Sequence, residues 1–434
     1  MTNNIEINSS EDTTQINSWD LTKLKYVCKV ENGSTPKSNI DEFWDDSLKW
    51  FTPNDFRNIT NNFYLEIPNR FISQKGLENS GCSFIKEESI LLTTRAPVGK
   101  VAKIKGGFTF NQGCKSLSPK NLDIGFLYYS LQNSEQFLKS LSRGTTFKEL
   151  STDELLNFKI HIPELKIQKL ISKFLDKKIQ TIDNLIKKIE KKIELLKEQK
   201  TALINQCVTK GLNPNVEKKD SGVEWIGKIP SHWQLLRLNN LGRFSKGKGI
   251  TKDKIKVNGN KCIRCGEIYT TYELRFNRTR SFIDDDTSDE SVLATKGVLL
   301  FAGDGESLEE IGKCIVYEGE EDLYIGGGIN VFTPKQEKVI PIYLSYVMNS
   351  ESVIYQKSRQ GKGEIVVHIY SKQLKEIRLG LPSIKEQQQI VEYLDQKTSL
   401  IDKIISYENK RLLFLKEYKK SLISEVVTGK KRVV

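Results

Sequence analysis

The chain carries PELKIQKLISKFLDKKIQTIDNLIKKIEKKIELLKEQKTALINQCVT at residues 163–209 and repeats it as PSIKEQQQIVEYLDQKTSLIDKIISYENKRLLFLKEYKKSLISEVVT at residues 382–428. The two copies align without a gap, so that Pro163 matches Pro382 and Thr209 matches Thr428, and 19 of the 47 aligned positions are identical. We call this constant difference in residue number the repeat offset. A repeat of this quality predicts a pseudo-symmetric molecule built from two related halves, and it suggests a symmetric partner.

Each copy is predicted to be one helix whose apolar residues form a single seam. A four-three spacing runs through both copies, as in helices that pair with other helices. A helix of about 33 residues spans roughly 50 Å, too long for one small core, so the two copies are natural mutual partners. A solvated helix packed on its own domain is the alternative, which the gapless repeat opposes. The predicted pairing residues are Leu175, Ile179, Ile182, Ile186, Ile189, Ile193, Leu196 and Leu203 in the first copy, and Leu394, Ile401, Ile405, Leu412, Leu415, Leu422 and Val426 in the second.

Signals for helix ends bound both copies. A proline opens each one, and Ser383 with Glu386 forms an S-x-x-E capping pattern in the second. Gly211 and Gly429 follow the last turns, where glycine commonly ends a helix.

Composition frames these helices. A chain of 434 residues predicts two or three domains, and a hydrophobic content of 38% is ample for folding. No run approaches the ~18 apolar residues of a membrane span, and the polar N-terminus lacks a signal-peptide region. We therefore expect a cytoplasmic protein, in which the seven scattered cysteines are reduced thiols.

The net charge of +12 lies mostly on or beside the two helices. Excess lysine along a helix is usually a solvated face, so local runs are more informative. Residues 89–122 hold six basic side chains and no acidic one, and residues 237–264 hold nine basic side chains against Asp253 alone. Each globular segment should therefore have a basic face on which a polyanion could dock.

The two globular segments show the same order of features. Each opens on a tryptophan, continues through an apolar strand, a Gly-Lys and a glycine-centred stretch ending in proline, and then has a helix-like apolar run and a basic Ser-Arg element at Arg143 or Arg359. The predicted fold is α+β, with two globular domains each followed by a long helix. The predicted boundaries are 1–18 for a polar tail, 19–161 for the first domain, 162–211 for the first helix, 212–232 for a linker, 233–380 for the second domain, 381–429 for the second helix and 430–434 for a basic tail.

This arrangement resembles the specificity (S) subunit of type I restriction-modification systems, the HsdS family. The likeness covers about Trp19 to Gly429, and it rests on the order of its motifs, which occurs twice. The motifs are Ile162-Pro163-Glu-Leu and Leu381-Pro382-Ser-Ile-Lys-Glu-Gln at the helix starts, Asp220-Ser-Gly-Val-Glu-Trp-Ile-Gly-Lys-Ile-Pro-Ser-His-Trp233 between the halves, Arg95-Ala-Pro-Val-Gly-Lys100 and Asn111-Gln112-Gly113.

The resemblance implies a non-catalytic DNA reader. Its two target recognition domains each bind one half of a bipartite site in double-stranded DNA, and its helices pack antiparallel to set the distance between the halves. The same helices hold two modification subunits, which use S-adenosylmethionine to methylate adenine, and restriction subunits join through them, so ATP and Mg are expected in the partners. Half-sites on one face of a duplex lie about 34–36 Å apart per turn, which a rigid helical spacer suits.

The sequence contains no catalytic motif that would contradict this interpretation. The chain has no P-loop and no Asn/Asp-Pro-Pro-Tyr/Phe tetrapeptide of amino-methyltransferases. The glycines 326–328 precede a strand-like stretch, which favours a tight turn or a close approach to DNA over a cofactor loop. Cys262 and Cys265 have metal-ligand spacing but lack the second pair that a zinc site needs. We expect no cofactor and no metal in this chain.

Arg, Lys, Asn and Gln are the side chains that read base edges, and Lys and Arg also neutralise phosphates. Each candidate is also open to the interpretation that it is an ordinary surface charge. Replacing Arg143 or Arg359 by alanine is expected to weaken binding at its own half-site only. The DNA-binding candidates are Arg95, Lys100, Lys103, Gln112, Lys115, Arg143, Thr145 and Lys148 in the first domain, and Lys246, Lys248, Lys252, Arg264, Arg275, Arg278, Arg280, Arg359 and Lys362 in the second.

Two other classes of function remain open from the sequence. A stand-alone nuclease or methyltransferase would need the motifs that are missing. A coiled-coil scaffold or adaptor would use the duplication without DNA. Salt-sensitive binding to duplex DNA separates the adaptor from the reader, since only the reader loses phosphate contacts as salt rises.

Overall fold

The structure, a computed structural model, describes residues 19–59, 63–143, 149–363 and 366–433. Over these ranges no helix is both long and apolar enough to cross a membrane. The chain forms two compact units. One unit holds the residues up to Lys191 together with those from Asn409 onward, and the other holds Lys192–Glu408. Each unit therefore contains one globular domain and a part of both long helices.

The first unit is built from short strands and helices that lead into the first long helix. A two-stranded ribbon brings the start and the end of the domain together, because Asp20 pairs with Ile162. Its elements are β1 (Asp20–Lys23), α1 (Leu24–Val27), β2 (Cys28–Asn32), β3 (Leu48–Phe51), β4 (Arg70–Ile72), α2 (Gln74–Glu78), β5 (Ser89–Thr93), β6 (Val101–Ile104), β7 (Phe108–Phe110), β8 (Cys114–Pro119), α3 (Ile124–Asn133), α4 (Glu135–Leu141), α5 (Thr152–Asn157), β9 (Lys159–Ile162) and α6 (Leu165–Lys210).

Two sheets make up this domain. One has the order β2-β8-β5-β6 and is antiparallel throughout, and the other has the order β4-β3-β7. Every residue of β5 and β6 is buried, which fits their near-continuous apolar sequence. Helix α3 packs on this sheet, and its core continues without a break onto the long helices, where Leu175 and Val426 are fully buried.

The second unit repeats this plan with additional strands. Its ribbon pairs Gln234 with Leu381. Its elements are β10 (Lys218–Asp220), β11 (Lys228–Pro230), β12 (Gln234–Arg237), β13 (Gly242–Lys246), β14 (Asn260–Ile263), α7 (Cys265–Thr270), β15 (Arg275–Phe276), β16 (Ser281–Ile283), α8 (Asp285–Asp289), β17 (Val292–Ala294), β18 (Leu299–Ala302), β19 (Asp304–Gly305), β20 (Cys314–Tyr317), β21 (Leu323–Ile325), β22 (Ile329–Pro334), α9 (Pro341–Met348), α10 (Glu351–Gln360), β23 (Val367–His368), α11 (Ser371–Leu374), β24 (Arg378–Leu381) and α12 (Ile384–Val427).

The larger sheets of this unit have the orders β13-β22-β18-β20-β15 and β16-β14-β21-β17. The strands β22, β18 and β20 occupy the places that β8, β5 and β6 hold in the first unit, since the antiparallel order is the same. The main core of the unit gathers Trp233, Tyr343 and Leu394, all with no exposed surface. The domain and its helix therefore share one core here too.

Inside each unit the two helices run antiparallel. In the first unit, Asp183 lies against Lys419 and Glu190 against Lys416, so residue numbers fall along α12 as they rise along α6. In the second unit, Lys192 meets Glu408 and Lys200 meets Asp402. The predicted α+β fold with two antiparallel long helices is confirmed.

All of the predicted pairing residues are buried or half-buried. Those in the first half of α6, such as Ile179 at 0% exposure, are the most enclosed, whereas Leu196, Leu203, Ile405, Leu412 and Leu415 are half-buried. The helices are longer than the seam suggested, at 46 and 44 residues. They span about 69 and 66 Å at 1.5 Å per residue, because each begins about ten residues before the seam does.

The helix ends follow the predicted signals in part. Helices α6 and α12 begin two residues after their prolines, and Gly211 and Gly429 end them with φ of 74° and 75°. The capping pattern is only half formed. The amide of Glu386 donates to Ser383 Oγ at 3.3 Å, but the Glu386 carboxylate accepts instead from Trp233 Nε1 at 3.0 Å. The buried tryptophan takes the carboxylate that the capping box would have used.

Two segments differ from the prediction. The predicted linker 212–232 contains an antiparallel hairpin of β10 and β11, whose Ile229 is buried in the core beside Trp233. Each predicted helix-like apolar run is divided into two helices. In the first domain α3 ends and α4 begins at Ser134, and in the second domain α9 ends at Asn349. The 1–18 tail lies outside the described residues.

Candidate nucleic-acid interface

Three loops of the first domain converge at the end of β5. The amide of Thr94 donates to Gly113 O at 2.8 Å, and that of Leu150 donates to Thr94 O at 2.9 Å. Arg143 and Glu149 exchange both backbone hydrogen bonds, at 3.0 and 2.9 Å. The loops that carry the candidates Arg95, Gln112 and Arg143 are thereby fixed to one another, and we refer to these three residues as the first-domain loop surface.

The cations of the first-domain loop surface are held by carboxylates. Arg95 Nε lies 3.1 Å from Glu149 Oε2, and Arg143 Nη2 lies 2.7 Å from Glu154 Oε1 while 86% of the Arg143 side chain stays exposed. Such exposed pairs contribute little stability, so a phosphate can replace the carboxylate at small cost. Gln112 is exposed and accepts a hydrogen bond from Thr35 Oγ1.

A fourth exposed candidate, Lys100, sits elsewhere in the same domain. Its Nζ lies 3.0 Å from Glu135 Oε1, at the start of α4, and Lys139 Nζ approaches the same oxygen at 2.6 Å. Gly99, with φ of 85°, lets the chain pass close to Glu135, because an added Cβ there would lie 3.1 Å from Glu135 O. Lys100 is accessible to a polyanion, but its charge is already matched.

Two first-domain candidates are inside the protein, and we correct their role. Lys103 is 5% exposed, and its Nζ lies 3.6 Å from Asp176 Oδ1 on the long helix. Lys115 is 6% exposed and donates to Asn32 Oδ1 and Thr152 Oγ1, both at 2.7 Å. Burial lowers the pKa of Lys115. Neither ammonium group has a surface to offer DNA, so we remove both from the candidates.

The second domain repeats this convergence of three loops, which we call the loop arrangement in both domains. The amide of Gly303 donates to Gly328 O at 2.7 Å, and that of Ile369 donates to Gly303 O at 2.8 Å. Lys362 and His368 exchange backbone hydrogen bonds at 3.1 and 2.8 Å, in the manner of Arg143 and Glu149. Lys362 is therefore the structural counterpart of Arg143, and the two are separated by the same repeat offset as the helices.

This equivalence corrects the motif pairing from sequence, which matched Arg143 with Arg359. Arg359 lies in the last turn of α10, where its Nη1 donates to Tyr355 Oη at 3.2 Å and its guanidinium lies 5.7 Å from that ring. It is exposed but belongs to a helix rather than to the converging loops. The two Ser-Arg elements are therefore similar in composition but not equivalent in structure. Arg359 lies close in sequence to Lys362, the true counterpart of Arg143.

Most second-domain candidates are exposed and free of carboxylates. The amides of Gly247 and Lys248 donate to Ile329 O and Ile325 O at 2.9 and 3.1 Å, which places this basic loop beside the glycine turn 326–328. Within the described ranges, none of the following exposed candidates forms an ion pair: Lys246, Lys248, Lys252, Arg278, Arg280 and Lys362. The second domain thus presents more unmatched positive charge than the first.

The remaining candidates have other surroundings. Arg264 is half-buried, with Nε 3.9 Å from Glu267 Oε2 at the start of α7. Arg275 is half-buried against Asp395 of the long helix, and its Nη1 lies 3.6 Å from Glu318 Oε1. Thr145 and Lys148 lie outside the described residues.

Three further contacts of cationic or histidine side chains were not predicted from the sequence. The Arg70 guanidinium lies 3.7 Å from the Trp44 ring centroid, and Lys105 Nζ lies 5.7 Å from that of Tyr64. His368 Nδ1 lies 2.7 Å from Asp304 Oδ1, next to Lys362 in the loop arrangement. The sequence holds no local signal for these contacts, because each joins residues that are far apart in the chain.

The side chains with metal-ligand spacing are otherwise occupied. Burial raises the pKa of Cys262 to about 12, so its thiol stays protonated, and Cys265 Sγ lies 3.6 Å from Asp304 O. In the described part of the chain no group of three or more His, Cys, Asp or Glu side chains is placed to hold a metal ion. The glycines 326–328 form a tight turn between β21 and β22, as predicted, with Gly328 at φ of 76°.

Comparison with known proteins agrees with this geometry. The chain is 26% identical over 421 residues to the type I restriction enzyme MjaVIII specificity subunit of Methanocaldococcus jannaschii, which covers 96% of this chain and 93% of that one. It is 30% identical over 240 residues to the MjaIX specificity subunit of the same organism, covering 55% and 54%.

Solved structures share the fold. A chain from a study of complex assembly and conformational transition of the type I R-M system superimposes with a TM-score of 0.72 at 16% identity, covering 94% of this chain and 97% of that one. The HsdS subunit from Thermoanaerobacter tengcongensis gives 0.56 at 16% identity, covering 96% and 98%.

The family model for the type I restriction modification DNA specificity domain matches twice, at residues 17–195 and 230–413. These matches cover most of the chain and contain both loop arrangements and the greater part of both long helices. The resemblance seen in the sequence is confirmed, and the chain belongs to the type I restriction-modification DNA specificity family.

Proposed function

We propose that this chain is the non-catalytic DNA-reading subunit of a type I restriction-modification complex, and that each domain reads one half of a bipartite site. The observation that carries the proposal is the repeated loop arrangement, which presents Arg143 in one domain and Lys362 in the other, separated by the repeat offset. A repeated scaffold with different side chains suits two readers of different half-sites.

The chemistry of the two surfaces differs in a way that bears on reading. Arginine and glutamine on the first-domain loop surface are able to make bidentate contacts with base edges. The second domain adds unmatched lysines such as Lys246 and Lys248, which suit phosphates. We therefore expect the second half-site to supply more of the salt-dependent affinity.

The long helices set the distance between the half-sites and dock two modification subunits, which in turn recruit restriction subunits. Their lengths of 46 and 44 residues support this role, because helices of that size are comparable in length with about two turns of DNA. S-adenosylmethionine, ATP and Mg belong to the partner subunits. The description of an R-M complex assembly for one structural relative is in line with such partners.

The test is binding to duplex DNA by the complex of this chain with its modification subunit. Arg143→Ala should weaken binding when the first half-site is intact and change nothing at the second, and Lys362→Ala should do the reverse. Each should lower the slope of log affinity against log salt by about one if it contacts a phosphate. Arg359→Ala tests the original motif pairing in the same assay.

Lys218→Ala is the matched control, because Lys218 is an exposed lysine on the hairpin strand β10, which belongs to neither loop arrangement. It removes the same charge and should leave both half-sites unaffected. Equal losses at both half-sites for Arg143→Ala and Lys362→Ala would contradict the two-reader proposal. Binding that does not depend on salt would favour a scaffold.

A further inference from the structure

Each unit holds a carboxylate of its long helix between a tyrosine and a cation of its domain. In the first unit, Tyr129 Oη donates to Asp176 Oδ1 at 2.7 Å, and Lys103 Nζ lies 3.6 Å from the same oxygen. In the second unit, Tyr346 Oη donates to Asp395 Oδ1 at 2.7 Å, and Arg275 Nη2 bonds that oxygen too. We call these groups the Asp176 triad and the Asp395 triad.

The two carboxylates are related by the repeat offset, but the two cations are not equivalent in sequence. Lys103 lies on β6, whereas Arg275 lies on β15, the strand beside β20, where it pairs in parallel with Val316. In the first unit the place beside β6 is taken by Tyr64, which bridges to Lys103. The same charge therefore reaches the equivalent carboxylate from two different strands.

The tyrosines and Lys103 are buried, whereas 47% of the Asp176 side chain and 35% of the side chains of Asp395 and Arg275 stay exposed. Tyr129 and Tyr346 are 0% and 1% exposed, and Lys103 Nζ lies 5.5 to 6.0 Å from the ring centroids of Phe63, Tyr64, Tyr128 and Tyr129. Burial raises the pKa of Tyr346 to about 12, so its hydroxyl remains a donor. The hydrogen bonds from the two tyrosines to the carboxylates, both at 2.7 Å, are charge-assisted and directional, unlike apolar packing.

A second attachment joins each domain to the first turns of its helix. Gln168 Oε1 accepts from the amide of Asp123 at 2.8 Å, and Gln387 Oε1 accepts from the amide of Ile340 at 2.8 Å. Each glutamine precedes the triad aspartate of its helix by eight residues, or about 12 Å of helix. Added to the apolar core that each domain shares with its helix, these directional contacts favour one orientation over the small rotations that non-directional packing tolerates.

We propose that the Asp176 triad and the Asp395 triad fix the orientation of each recognition domain on its helix, and so restrict the number of base pairs that the protein accepts between its half-sites. The residues Tyr129, Lys103, Tyr346 and Arg275 are positioning residues, which act through the helix, and for Arg275 this role replaces the DNA contact expected from the sequence. One base pair of spacer is about 3.4 Å along the duplex, so a small tilt of a domain changes the spacer that fits. This inference rests on the proposed function.

The experiment co-expresses the full chain and its modification subunit in a host without adenine methylation and maps methylated adenines. Tyr346→Phe removes only the hydroxyl of the Asp395 triad, and Tyr129→Phe does the same for the Asp176 triad. Both should keep the half-site sequences and methylate sites whose spacer is one base pair longer or shorter, at least tenfold more often than wild type. Asp395→Asn should widen the spacer further.

Tyr343→Phe is the matched control, since Tyr343 is fully buried in the same domain and its hydroxyl has no hydrogen-bond partner in the described structure. It should leave the spacer unchanged. If Asp395→Asn fails to fold, Tyr346→Phe decides, because it preserves shape and charge. An unchanged spacer in both tyrosine variants, or loss of methylation at every spacer, would overturn the inference. A wild-type protein that directs no bipartite methylation would instead overturn the proposed function.

Discussion

Lys419 Nζ lies 2.6 Å from Asp183 Oδ1, and the pair recurs across the repeat offset as Lys200 with Asp402 at 2.7 Å. The helix that supplies the carboxylate in the first unit supplies the lysine in the second. Both lysines occupy places in the four-three seam of otherwise mostly apolar residues. Their ion pairs join the two helices in the observed antiparallel register.

A double-mutant cycle on Asp183→Asn and Lys419→Met measures this contribution. The side chains are 29% and 23% exposed, so we expect a coupling free energy of about 1 kcal/mol in chemical unfolding. The cycle on Asp402 and Lys200 is the matched comparison, and should couple less because Asp402 is 48% exposed. Strictly additive effects in the first cycle would show that the pair does not stabilise the helices.

Gly211→Ala is expected to destabilise the second unit by about 2 kcal/mol. Gly211 has φ of 74°, and an added Cβ would lie 3.2 Å from Glu386 Oε1, which already accepts from Trp233 Nε1. Gly222→Ala is the control, because Gly222 has φ of 70° and nothing within 4 Å. The midpoint of urea unfolding should fall more for Gly211→Ala, and equal shifts would show that backbone strain alone matters.

The stability of the second unit should depend on pH through Lys357. Burial lowers the pKa of Lys357 from 10.5 to about 8, and its Nζ donates to Gly312 O at 2.7 Å. Below about pH 8 the lysine is charged in both states and the cost of burying it is fully present. Above that pH the folded protein releases the proton first, so stability rises towards pH 10.5.

Lys357→Met isolates this effect, because all other titrating groups cancel in the comparison. Between about pH 7 and pH 9.5, wild type should gain about 2 kcal/mol of unfolding free energy relative to the variant. A difference that stays constant over that range would mean that the folded-state pKa is not lowered.

Most of the fold could be predicted from the repeat, because apolar spacing and helix-ending glycines are local signals in the sequence. Gly211 and Gly429 end the helices where predicted, and the strands around Leu91 and Leu300 lie in equivalent sheets. The candidate site was harder to predict. Whether a lysine is exposed or buried depends on contacts far along the chain, as between Lys103 and Asp176.

The match between Arg143 and Lys362 was hidden for a related reason. The backbone pairing of each loop defines the equivalence, and the paired residues differ, since glutamate faces Arg143 and histidine faces Lys362, although a glycine follows each cation at 144 and 363. Composition then favoured the nearby Arg359. The repeat offset, applied beyond the helices, is the signal in the sequence that identifies the match.

The most direct test of the central claim is a genome-wide map of adenine methylation after this chain is co-expressed with its modification subunit in a methylation-free host. We predict one split motif with two defined halves and a fixed gap, whose halves follow the domains when either is exchanged. A stable complex that leaves the genome unmethylated, or that methylates an undivided motif, would contradict the claim that the two domains read two half-sites.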